Sequence, residues 1–116
     1  MESEKQSGAS QIEKLIDARR RARFKLDSDV KIYSRTSSVV MGRSVDISET
    51  GLAAMLKIEI PLDLVVRLEF TLPRGVVSVR ALVRQRNAFR YGFQFVEPDS
   101  EAQELISRFC RDSRPT

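Results

Sequence analysis
The chain has 116 residues, a length that suits one domain, with 41 % apolar and 31 % charged residues. It holds no histidine and one cysteine, Cys110, which excludes a His-based triad, a Cys–His dyad, a typical zinc site and an internal disulfide. The net charge of +4 and the pI of about 9.6 favour an anionic partner without identifying it. No apolar run approaches the ~18 residues of a membrane helix. The start, Met1 to Lys5, lacks the basic and apolar regions of a secretory signal. A cytoplasmic protein without membrane insertion is therefore expected, and a single cysteine agrees with a reducing compartment. No acid pair can be singled out for a carboxylate-only reaction, so the chain is expected not to be an enzyme.

Residues 1–10 are polar and expected to be disordered. Ile12, Leu15 and Ile16 have the spacing of a short amphipathic helix. Next comes Arg19-Arg20-Arg21-Ala22-Arg23, within a stretch from Arg19 to Lys25 in which five of seven residues are basic. Taken alone, such a run is ordinarily a solvated face.

After Phe24 the period changes to 2. Val30 and Ile32 alternate with Asp29, Lys31 and Tyr33, the pattern of a strand. Val39, Met41, Val45 and Ile47 share one parity. Asp46 and Ser48 fall on the other and are expected to project together, away from the core. Gly51 would permit a turn with positive φ. Leu52 to Leu56 reads as the return strand, and Ile60 to Asp63 as a loop. Leu64, Val66, Leu68, Phe70 and Leu72 alternate cleanly, and Pro73-Arg74-Gly75 marks a turn. Val77, Val79, Ala81 and Val83 continue the alternation, with Ser78, Arg80, Arg84 and Arg86 on the opposite face.

Asn87-Ala88 reads as the next turn. Phe89, Tyr91, Phe93 and Phe95 then form an inward face, core rather than a base-stacking platform. Gly92, on the other parity, allows close approach of another element. Ser100 with Gln103 fits a capping box, and Leu105, Ile106, Phe109 and Cys110 share one face of the helix that follows. The fold expected is mainly β: a small antiparallel six-stranded barrel with a C-terminal α-helix and a basic N-terminal segment. Residues 1–16 would be a tail, 17–111 the domain, and 112–116 a second tail.

Asp46-Ile47-Ser48-Glu49-Thr50-Gly51 can be a plain Asx turn with a glycine stop. Its separation from Arg19-x-x-x-Arg23 by 22 intervening residues gives it a second reading. In this order the two elements resemble the RxxxR and [D/N]xSxxG motifs of the PilZ domain. Tyr91-Gly92-Phe93-Gln94-Phe95 is similar to that family's late strand. The resemblance, over roughly residues 17–111, implies a cyclic di-GMP receptor. Arg19 and Arg23 would match the motif arginines, and Asp46, Ser48 and Gly51 the second motif.

Arginine suits such a ligand, because its planar fork binds phosphate and also matches the guanine O6/N7 edge. A carboxylate at Asp46 can accept from guanine N1 and N2, Ser48 can donate to the ligand or orient Asp46, and Gly51 can bring the backbone close. Arg20, beside Arg19, is a further candidate contact, and Arg21 a lesser one. An arginine that precedes the motif in some members is Ala18 here, which speaks against two stacked ligands. No other cofactor is implied. Ligand capture would order the arginine segment and act on an unidentified protein partner in trans. Two other readings are an adaptor of the same fold that binds no nucleotide, and a nucleic-acid-binding barrel. Inward-facing aromatics argue against the latter.

Overall fold
The computed structural model describes residues 21–35 and 39–114. Arg19, Arg20 and the helix expected at residues 12–16 lie outside the described residues. Seven strands are formed among the described residues: β1 (Phe24–Lys25), β2 (Asp29–Tyr33), β3 (Val40–Ile47), β4 (Gly51–Leu56), β5 (Val65–Leu72), β6 (Gly75–Asn87) and β7 (Arg90–Val96). One helix, α1 (Ser100–Asp112), follows. Every pairing is antiparallel. β2 pairs with β3, β3 with β4, β4 with β7, β7 with β6, β6 with β5, and β5 with β2 again. That circuit is a closed six-stranded barrel, and closure leaves no free sheet edge. β1 pairs with the far end of β3, through Phe24 and Ile47, so β1 and β2 run in succession along one strand.

The alternation seen in the sequence builds most of the core. Val66, Leu68, Phe70 and Leu72 of β5, Val77, Val79, Ala81 and Val83 of β6, and Tyr91, Phe93 and Phe95 of β7 are all buried. α1 contributes Ala102, Ile106 and Cys110 to this core, with Leu105 and Phe109 packed at its margin. Burial pushes the Cys110 thiol up to about 12, aided by the nearby Glu49 carboxylate. The helix is capped one residue earlier than a Ser100 box requires. Asp99 has extended backbone, and its carboxylate accepts from Ala102 N at 2.8 Å.

Two bulges change which residues face in. In β3 the register shifts between Ser44 and Asp46. Val40 and Ser44 are buried, whereas Met41 is 52 % and Val39 45 % exposed, the reverse of the expected parity. Val45 is the extra residue, and beyond it Ile47 is inward and Asp46 outward. The inward Ser44 hydroxyl accepts from Ser28 N (2.8 Å) and donates to Leu26 O (2.7 Å), bridging the gap between β1 and β2.

In β6 the shift lies between Val83 and Gln85. Arg84 becomes the extra residue, and Arg86 changes parity to register opposite Tyr91. Its guanidinium is held charged by a hydrogen bond toward Tyr91 and by Glu59, 3.4 Å away. Phe89 is not on the inner face either. It sits in the Ala88–Phe89 turn, where Ala88 has φ 55°, and is 59 % exposed.

The turn from β3 to β4 is closed by one side chain. Ser48 N donates to Gly51 O at 2.8 Å, while Ser48 Oγ accepts from Thr50 N (3.2 Å) and Gly51 N (3.1 Å). Ser48 is fully buried beneath this turn rather than projecting outward with Asp46. Gly51 does not have positive φ. It is needed for space, since a Cβ there would collide with the Phe93 carbonyl oxygen of the adjoining strand.

Three stability effects follow, each measured by urea denaturation. Ser48→Ala leaves the buried Gly51 N and the part-buried Thr50 N without their acceptor and should destabilise by ~1–3 kcal/mol. Gly51→Ala must push β4 from β7 and should cost ~1–3 kcal/mol. Asp99→Ala removes the helix cap and should cost ~1 kcal/mol, whereas Ser100→Ala should be near neutral.

Candidate functional site
Asp46 leaves β3 on the outer face of the barrel, yet the residue is only 9 % exposed. Two arginines cover it. Arg23, one residue before β1, places Nε 2.5 Å from Oδ1. Arg90, the first residue of β7, places Nη2 3.1 Å from Oδ2. Each oxygen thus accepts one charge-assisted hydrogen bond from a different part of the chain. A carboxylate offers about four lone-pair positions, so about two remain for another donor.

The sheet register extends this point into a groove. Asp46 pairs with Ala53 of β4, Ala53 with Gly92 of β7, and Gly92 with Gln85 of β6. These four positions form one row across the outer face. At ~4.8 Å per strand the row spans ~14 Å. Its two middle members have a methyl group or no side chain, so the floor is low. Around it stand Arg21 and Arg23 on one side and Arg84, Arg86 and Asn87 on the other. Arg90 and Gln94 flank the floor along β7. The cleft has a volume of about 1110 Å³. Five arginines line it. Asp46 lies beside it already paired, and the balance of the lining is strongly cationic.

The sequence-derived candidates divide into three groups. Arg23 and Asp46 meet directly at the groove edge. Gly51 lines the groove through its backbone, and the buried Ser48 orders the turn beneath it. Arg19 and Arg20 lie outside the described residues. Arg21, considered only a lesser candidate, is exposed on the groove wall.

Arg90, Arg84, Asn87 and Gln94 were not singled out by the motifs. The outward parity of Arg90 and Gln94 followed from the inward Phe93, but the β4–β7 pairing that sets Gln94 opposite Gly51 and leaves Arg90 within reach of Asp46 did not. Arg43 and Arg80 do not join the groove. Arg43 pairs with Asp27 and Asp29, both at 2.7 Å, and Arg80 with Glu97. A second depression, lined by Met41, Met55, Leu56 and Phe89 with Asp29, Arg43 and Lys57 beside them, is mainly apolar.

Among the described residues no helix is long and apolar enough to cross a membrane. No curated protein sequence matches the chain. Solved structures do. The PilZ domain of CeSA from a cellulose-synthesizing bacterium is 16 % identical, with a TM-score of 0.63 over 78 % of this chain and 95 % of that one. The PilZ domain of YcgR from Escherichia coli, solved with cyclic di-GMP, is 17 % identical, with a TM-score of 0.62 over 82 % of this chain and 91 % of that one. The Bacillus subtilis inhibitor of motility, MotI/DgrA, is 20 % identical, with a TM-score of 0.68 over 78 % of this chain and 48 % of that one. At these identities the likeness is one of fold. The family model described as PilZ domain matches residues 17–112, a span that contains every strand, the helix and both sequence motifs, and the chain belongs to the PilZ domain family.

Proposed function
We propose that this domain is a cyclic di-GMP receptor that signals to a protein partner in trans. The observation that carries the reading is Asp46, a carboxylate held between Arg23 and Arg90 at the edge of a cationic groove. The lone pairs that the arginines leave on Asp46 suit guanine N1–H and N2–H, which adenine lacks. Arg23, with Arg19 and Arg20 upstream, supplies guanidinium forks for phosphate and for the guanine O6/N7 edge. Ser48 and Gly51 act indirectly, by holding the turn and the low backbone beside the ligand. The PilZ domain of YcgR, solved with cyclic di-GMP, supports the choice of ligand.

Capture would fix the arginine segment against the barrel and alter the surface offered to the partner.

Calorimetric titration with cyclic di-GMP at physiological salt should give saturable binding, with none for GTP or cyclic di-AMP. Arg23→Ala removes a charge-assisted contact of ~1.5–3 kcal/mol and should weaken binding at least ~10-fold. Asp46→Ala should weaken it comparably and reduce the preference for guanine. If Arg19→Ala and Arg23→Ala both bind like the wild type, the assignment is wrong. A wild-type protein that gives neither heat nor a thermal shift would instead favour the nucleotide-free adaptor.

A further inference from the structure
The motif residues account for one side of the groove only. The opposite wall belongs to the β6–β7 hairpin. There Arg86 is engaged by Glu59 and Tyr91, and Arg90 by Asp46. Arg84 is different. It is the extra residue of the β6 bulge, a device that turns a side chain out of its ladder position. It is exposed, it lines the groove, and it makes no ion pair or hydrogen bond among the described residues.

A cyclic dinucleotide carries its two nucleotides on opposite sides of one ring. A ligand with one guanine at Asp46 would lay its ring across Ala53 and Gly92, where no long side chain intervenes. Its second nucleotide would then approach β6. We propose that Arg84 binds the phosphate of that second nucleotide, so that the β6 bulge is a built part of the site and not a local irregularity. This inference rests on the receptor reading above.

The test is calorimetry on the full chain with cyclic di-GMP, comparing wild type with Arg84→Ala, Arg84→Lys, Arg23→Ala and Arg80→Ala. Arg80 lies on the same strand, outside the groove, and controls for loss of one positive charge. Arg84→Ala should bind roughly tenfold or more weakly. Arg84→Lys should recover most of the loss, because a phosphate accepts a point charge as well as a fork. Arg80→Ala should match the wild type. If Arg84→Ala keeps wild-type affinity while Arg23→Ala loses it, the second wall is refuted and the receptor reading stands. Equal weakness of Arg84→Lys and Arg84→Ala refutes the phosphate contact. No binding by the wild type overturns the receptor reading and this inference together.

Discussion
Asp46 shares its carboxylate between arginines 23 positions before it and 44 positions after it. That sharing ties the start of the described chain, strand β3 and strand β7 to one point. Removing one partner of a covered ion pair can cost ~3–5 kcal/mol where desolvation is complete. Here the arginines are 39 % and 49 % exposed along their side chains, so solvent screening reduces the figure substantially. The pair is therefore strong enough to orient the carboxylate and loose enough to be renegotiated by a ligand with donors of its own. A fully sealed triad would lack that second property.

The groove depends on register more than on any single side chain. Ala53 and Gly92 come to lie between Asp46 and Gln85 only because β4 inserts between β3 and β7 and because both bulges fall where they do. A larger residue at either middle position would raise the floor. The same register excludes Arg43, which stands on β3 but is drawn away by Asp27 and Asp29. Position in the sheet thus decides which of many arginines are available to an anion.

The barrel itself was largely legible. Strands β5, β6 and β7 hold strict alternation for most of their length, and the sequence places their buried residues correctly, from Val66 through Phe95. β3 was misread in its first half because an inserted residue inverts parity, and Val45 carries no mark of being that residue. Phe89 was misread because an aromatic one step before an alternating run looks like its first member, whereas Ala88 places it in the turn. The motifs singled out Arg23 and Asp46, but their ion pair was not legible, since the sequence set both against a ligand and not against each other. Arg90 was not legible either, since its place follows from a pairing between strands that are distant in sequence. Ser48 was recognisable as a motif residue, but its residue type cannot tell a hydroxyl that faces solvent from one that closes a turn.

β1 contributes only two residues to the sheet, but Phe24 is buried against the barrel and Ser44 stitches the gap behind it. The consequence is one of tethering. Arg23 stands one residue before Phe24, so its backbone lies within ~3.8 Å of a buried anchor. Its charge therefore meets Asp46 from a fixed point of the sheet. The two-residue strand acts as a mooring. It keeps the Arg23 cation at the edge of the groove, where its backbone cannot drift from the barrel.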